Sequence, residues 1–268
     1  MMDVDASPFR PGLLHARVVI VTGGGTGIGR AIALEFASLG ARVALCGRRI
    51  EPVTAVADEI HGAGGEALAA SVDIRDADAV GCFVKAVSAR WSRVDVLVNN
   101  AGGQFPSPAQ DITPKGFEAV VRNNLLGTFN VTHAVANHVM IPAGHGRIVN
   151  VIANIARGFP GLAHTGAARA GVENLTRSLA VEWSRFGIRV NAVAPGTIRS
   201  SGTDRYPEEL IARAQRATPV KRLGSPAEVA HLVTYLGTDA ADFITGATLS
   251  IDGGASLWGD IWELPDNV

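Results

Sequence analysis

The chain of 268 residues is poor in cysteine and tyrosine: only Cys46, Cys82, Tyr206 and Tyr235. No CxxC pair occurs and neither cysteine lies near histidine at ligand spacing, so neither a disulfide scaffold nor a zinc site is expected, and no metal is assigned. Charge is sparse and balanced, 24 Lys and Arg against 25 Asp and Glu, or 18% of the residues and a net charge of −1. Nucleic acid and polybasic membrane contacts need an excess of cations, so neither partner is expected. There is no apolar run of the roughly 20 residues that span a bilayer. Met1 to Pro11 carries Asp3 and Asp5 rather than a basic start with an apolar stretch, and Leu264 to Val268 is not an SKL-type address. A cytoplasmic protein is expected.

Apolar residues are plentiful, 47%, which points to a large interior and one domain across residues 1–268. Short β-branched runs alternate with amphipathic stretches, the rhythm of βα units around a parallel sheet. The expected strands are Val18 to Val21, Arg42 to Cys46, Ala67 to Val72, Val94 to Val98, Arg147 to Val151, Arg189 to Val193 and Ala247 to Ile251. The fold class is α/β, with seven parallel strands in one doubly wound sheet. Val172, Leu175, Leu179 and Trp183 form one stripe of a long helix over Ala163 to Arg185, and a second long helix is expected over Lys115 to Met140. An insertion at about 196–220, with a short helix from Glu208 to Ala217, has the place of a lid over a ligand. A tail at 255–268 completes the chain, and its Trp258 to Trp262 segment either covers a neighbouring subunit's pocket or anchors its own C-terminus.

The first expected strand runs into Thr22-Gly23-Gly24-Gly25-Thr26-Gly27-Ile28-Gly29 and then a helical pattern. Glycines let backbone N–H groups approach a pyrophosphate, and the helix N-terminus behind them favours negative charge. Gly23, Gly25, Thr26, Gly27, Ile28 and Gly29 are therefore candidate dinucleotide contacts in a Rossmann-like domain. The second strand ends in Gly47-Arg48-Arg49. An acid there accepts from a ribose 2′-OH, whereas arginine pairs with a 2′-phosphate; Arg48 and Arg49, without an acid, favour NADP(H).

This glycine pattern, Asn99-Asn100-Ala101-Gly102 and Pro195-Gly196 together resemble the short-chain dehydrogenase/reductase superfamily over Leu13 to Gly254. The resemblance implies a Rossmann-like fold, a homotetramer or homodimer, and cofactor contacts at Asp73, Ile74, Asn99, Ala101, Gly102, Pro195, Gly196, Ile198 and Ser200. The superfamily's catalytic signature is Ser, then Tyr thirteen positions on, then Lys four further, with an upstream Asn. Here Ile152, Thr165 and Arg169 stand at the first three positions, and Asn124 matches the fourth.

Alcohol oxidation needs a phenol of lowered pKa to exchange a proton with the substrate oxygen. A threonine hydroxyl is too weak an acid, and arginine does not relay protons. Reduction of a carbon–carbon double bond conjugated to a thioester needs only hydrogen bonds to an oxygen that gathers negative charge. The chain is similar to the peroxisomal trans-2-enoyl-CoA reductases, near the 2,4-dienoyl-CoA reductases. The similarity is carried by Gly102-Gly103-Gln104-Phe105, Ser107-Pro108-Ala109, Gly158-Phe159-Pro160, His164 to Val172, Asn174-Leu175-Thr176, Ser256-Leu257 and Glu263 to Asp266. That resemblance implies an acyl-CoA substrate and NADPH. It also implies Arg169 at the nicotinamide ribose, Thr165 donating to the thioester oxygen, and Asn124 shaping the site or holding a water. The Cα proton comes either from water or from His164, and His164 is equally open as a packing histidine. Dienoyl-CoA reductases carry a tyrosine close to Ala153, absent here. Three other functions remain open: a 2,4-dienoyl-CoA reductase, an NADP-dependent alcohol or aldehyde dehydrogenase on branched or terpenoid chains using Tyr206, and an NADP(H)-binding protein without catalysis.

Overall fold

The computed structural model describes residues 6–200 and 207–257. Tyr206, Trp258 to Trp262 and Glu263 to Asp266 lie outside the described residues. Among the described residues seven strands form one sheet: β1 (Val18–Thr22), β2 (Arg42–Gly47), β3 (Ala67–Ser71), β4 (Val96–Asn99), β5 (Gly146–Val151), β6 (Ile188–Pro195) and β7 (Thr248–Ile251). All pairings are parallel, in the order β3-β2-β1-β4-β5-β6-β7. Each expected strand is present with its ends moved by two residues or fewer.

Alternation along the strands explains why both faces are covered. Val19, Val21, Val43, Leu45, Val96, Val98, Val149 and Val151 face α1 (Gly27–Ser38), α2 (Ile50–Gly62) and α9 (Pro226–Leu236). Val18, Ile20, Ala44, Cys46, Leu97, Ile148 and Val190 face α3 (Ala77–Trp91), α5 (Gly127–Val135) and α7 (Ala163–Trp183). Fully apolar strands of this kind are stable only between two helical layers.

The expected helix over Lys115 to Met140 is a rod of α4 (Pro114–Val121), α5 and α6 (Ile141–Ala143), joined by wide π turns at Arg122–Leu126 and Ala136–Met140. The first π turn turns the buried Asn124 inward, and π turns of this kind often mark functional positions. The short helix in the insertion is α8 (Glu208–Ala217). Among the described residues no helix is long and apolar enough to cross a membrane.

The chain leaves β1 towards β2 and β3 on one side and returns to β4 on the other. This reversal opens a crevice at the strands' carboxyl ends, where an open α/β sheet takes its ligand.

Candidate active site

The two loops at the reversal interlock. Thr22 Oγ1 accepts from the N–H groups of Asn100 and Ala101, both at 3.0 Å, while Asn100 Nδ2 donates to the carbonyls of Thr22 and Gly23 at 3.1 and 3.2 Å. Gly23 has φ +64° and lies against Ala101 Cα. A Cβ on Gly29 would fall onto the Gly23 carbonyl and Asn100 Nδ2, so only glycine lets α1 start this close to the strand. Thr26 caps α1 without a side-chain hydrogen bond, and no acid occupies its first turn. The N–H groups there are free of side-chain partners and can take a phosphate. Gly25 backs onto Pro52 and Val53, while Gly27 and Ile28 form the first turn of α1.

At the end of β2, Arg48 and Arg49 are exposed and carry no ion pair among the described residues. Asp73, after β3, is the carboxylate near them. Hydrogen bonds from Arg75 hold its carboxyl at about 2, below the usual range, with further help from Arg48. Asp73 is thus ionised and engaged by Arg75 Nε at 2.9 Å. Ile74 is buried, packs on Gly127, and gives its carbonyl to Asn130 Nδ2 at 3.0 Å. Asp76, not Asp73, caps α3.

Asn99 is buried at the end of β4. Its Nδ2 donates to Thr132 Oγ1 (2.8 Å) and Asn150 Oδ1 (2.9 Å), and Asn150 Nδ2 continues to Thr176 Oγ1 on α7. This buried ladder ties β4 and β5 to α7, and no short motif marks it in the sequence. Asn124 Nδ2 donates to the Gly103 and Val120 carbonyls at 2.7 and 2.9 Å, and its Oδ1 accepts from Gly103 N–H at 3.3 Å. Asn124 therefore holds the loop that follows Gly102.

Arg169 and Asn124 meet at Gly102, where a Cβ would strike Arg169 Nη2 and lie 2.6 Å from Asn124 Oδ1. Arg169 is only 8% exposed and has no carboxylate partner among the described residues. Burial alone lowers its guanidinium to about 10, so it stays charged at neutral pH. One helical turn earlier, Thr165 is 1% exposed, on the same face as Arg169. His164 is fully buried; its Nδ1 accepts from the Thr165 N–H at 2.8 Å, with Thr165 Oγ1 at 3.3 Å. Ile152, at the position of the superfamily's Ser, sits in an apolar cluster with Val172, Ala192, Ala194 and Leu125. A hydroxyl there would find an apolar surround.

On the other flank, Gly196 N–H donates to the Ile251 carbonyl and Pro195 O accepts from Asn154 N–H, both at 3.0 Å. Ile198 is buried and bridges to Gly224; Ser200 is half-buried two residues further on. Asp252 accepts from Asn154 Nδ2 (2.5 Å), Gly254 N–H (3.0 Å) and Ser256 N–H (2.8 Å), joining the loops after β5 and β7. Among the described residues, a buried cation without a counter-ion, a side-chain-free helix N-terminus and two unpaired arginines fit an anionic dinucleotide.

The family model described as enoyl-(acyl carrier protein) reductase matches residues 23–256. A probable 2,4-dienoyl-CoA reductase of Bacillus subtilis (strain 168) is 39% identical over 249 residues, 91% of this chain and 98% of that protein. The peroxisomal 2,4-dienoyl-CoA reductase of Pongo abelii is 38% identical over 256 residues, 93% of this chain and 87% of that one. Among solved structures, a citronellol catabolism dehydrogenase of Pseudomonas aeruginosa PAO1 superposes with a TM-score of 0.85 at 46% identity, covering 93% of this chain and 99% of that chain. The chain belongs to the short-chain dehydrogenase/reductase family, within the group that the enoyl-(acyl carrier protein) reductase model describes, and is an oxidoreductase.

Proposed function

We propose that the protein reduces the 2,3 double bond of trans-2-enoyl-CoA thioesters with NADPH. The observation that carries this reading is the first turns of α7. They set a buried hydroxyl, Thr165, and a buried unpaired cation, Arg169, where proton exchange with an alcohol would require a phenol and an amine. Ile152 in its apolar cluster adds no further proton carrier. Hydrogen bonds and positive potential stabilise an enolate oxygen without proton transfer to it. The similarity to proteins named 2,4-dienoyl-CoA reductases supports an acyl-CoA substrate.

The nicotinamide, when bound, would supply a hydride for the substrate's Cβ, and the resulting enolate would take its proton at Cα from water. Gly23 to Gly29 would hold its pyrophosphate, with Asn99, Ala101 and Gly102 beside it. Arg48 and Arg49, exposed and unpaired, support NADP(H) over NAD(H). Asp73, Ile74, Pro195, Gly196, Ile198 and Ser200 line the remainder. Arg169 would orient the nicotinamide ribose and add positive potential beside the developing enolate. Thr165 would donate to the thioester oxygen. Asn124 keeps the Gly103 backbone, and with it the floor beside Gly102, in place. This reading carries one domain over residues 1–268, acting as a cytoplasmic homo-oligomer, with a tetramer as the expected assembly.

The test follows reduced-nicotinamide absorbance with a medium-chain trans-2-enoyl-CoA and identifies the product by mass. NADPH consumption with a saturated acyl-CoA is the expected result. No turnover despite demonstrated NADPH binding would overturn it. The citronellol catabolism dehydrogenase match supports a second reading, dehydrogenation of a branched or terpenoid alcohol or aldehyde. Tyr206→Phe separates the two, because that reading requires Tyr206 as the acid and predicts near-complete loss, whereas enoyl reduction predicts a modest change in KM.

A further inference from the structure

We propose that His164 is a catalytic residue that acts as a neutral hydrogen-bond donor, its Nε2–H meeting the thioester oxygen of the substrate. This rests on the enoyl-thioester reading above.

A backbone N–H can only donate, so Nδ1, which accepts from the Thr165 N–H at 2.8 Å, carries no proton. A neutral imidazole with Nδ1 as acceptor bears its proton on Nε2. That Nε2 is buried and has no hydrogen-bond partner among the described residues. A buried donor left unpaired is destabilising, a cost that a ligand oxygen would remove. Phe105, whose ring stands at 82° to the imidazole with centroids 4.5 Å apart, offers at most a weak acceptor.

The surroundings place this donor with the reacting atoms. Phe105 follows Gly102, the residue on which Arg169 and Asn124 converge, so His164 and Arg169 touch the two ends of one short loop. His164 also lies in the first turn of α7, which has neither a side-chain cap nor an acid, so the helix dipole there favours a developing negative charge. The Thr165 hydroxyl, 3.3 Å from Nδ1, has only one proton to share between the imidazole and the substrate. The Nε2–H has no such competing partner. No proton passes from the ring in this role: the imidazole stays neutral while the charge on the oxygen rises and falls, as a preorganised donor requires.

A hydrogen bond to the carbonyl of a conjugated thioester polarises the chromophore and moves its absorption to longer wavelength. The experiment records the difference spectrum of a 2,4-dienoyl-CoA bound to the protein loaded with oxidised NADP, which has no hydride to give. His164→Gln, His164→Asn and His164→Leu are compared with the wild type, with folding followed by thermal melting. Glutamine sets an amide N–H near the place of Nε2, whereas asparagine reaches only the place of Nδ1. The expected result is a red shift in the wild type, largely kept in His164→Gln and lost in His164→Asn and His164→Leu. With NADPH, kcat should fall about 100-fold in the latter two. A full red shift in folded His164→Leu, or in His164→Asn, would overturn the assignment while leaving enoyl reduction intact. Failure of the wild type to bind either this thioester or a trans-2-enoyl-CoA would overturn the enoyl reading and this assignment with it.

Discussion

Two arginines of this protein are equally buried, each 8% exposed, and differ in everything else. Arg147, at the amino end of the sheet, pairs with Asp239 at 3.0 Å and Asp242 at 3.1 Å. Arg169, at the carboxyl end, has no carboxylate among the described residues. The contrast extends to some neighbouring groups but not to all: Asp73 is paired with Arg75 at the carboxyl edge, and at the amino edge Arg147 Nε and His145 Nδ1 have no hydrogen-bond partner among the described residues. Along the amino ends, Asp95 is buried and accepts from Val18 N–H and Arg93 Nε, both at 2.8 Å, from Arg17 at 3.2 Å, and contacts His145 at 3.1 Å. Along the carboxyl ends stand an uncapped helix N-terminus, exposed Arg48 and Arg49, and the orphaned His164 Nε2. Asp95 and Arg147 are matched at the amino edge, while Arg169, Arg48 and Arg49 carry no ion pair among the described residues at the carboxyl edge. An unpaired buried charge costs stability, and a functional site bears that cost because the ligand supplies the missing partner.

The largest effect should come from breaking the Asp95 cluster at the amino edge. Asp95→Asn leaves the cations around it unmatched and should cost about 3 kcal/mol in denaturant unfolding, the low end for a broken buried pair because its partners are part-exposed. Turnover per folded molecule should not change. Burial pushes the Asp95 carboxyl up, but hydrogen bonds from Arg93 and the Val18 N–H outweigh it and hold it below the usual range. Its contribution is then complete above the unfolded-chain value of roughly 4 and is lost as pH falls through the folded value. The gap between wild type and Asp95→Asn should therefore close in acid. A gap that widens on acidification would contradict this sign.

Arg169→Met sharpens the comparison from the other side. Removing an unmatched buried cation should leave the melting temperature of the free protein unchanged or raised, while kcat/KM falls about 100-fold, or about 2.7 kcal/mol. A large loss of stability would mean that Arg169 has a structural partner after all. The smallest effect is expected at the rim: Arg48→Gln should weaken NADPH binding about tenfold, about 1.4 kcal/mol, and leave NADH nearly unaffected. Isothermal titration with both cofactors checks it, and equal losses for the two would remove Arg48 from the 2′-phosphate.

The strands were legible because continuous runs such as Val18-Val19-Ile20-Val21 leave few structural alternatives, and the glycine loop because its position after β1 is itself the signal. The stripe of Val172 and Leu179 on α7 likewise packs as its period implies, with Leu175 and Trp183 partly buried beside it. The rod between Pro114 and Ala143 was legible only as a helix. Its π turn at Arg122–Leu126, which turns Asn124 onto the Gly103 backbone, follows no 3.6-residue pattern. The Asp95 cluster was not foreseen, because Arg17, Arg93 and His145 are separated from one another along the chain and meet only when β1, β4 and β5 align.

The sequence alone determined the sheet, the glycine-rich turn, the arginines at the end of β2 and the replacement of Ser, Tyr and Lys by Ile152, Thr165 and Arg169. Each is a local statement, carried by period, spacing or residue type. Tertiary structure alone decided that Gly102 receives both Arg169 and Asn124, that among the described residues Arg169 is left without a counter-ion while Arg147 is given two, and that His164 Nε2 is buried there without a partner. These are properties of neighbours brought together across the fold, and burial, which makes an unmatched charge or donor costly, exists only after the chain has closed around it.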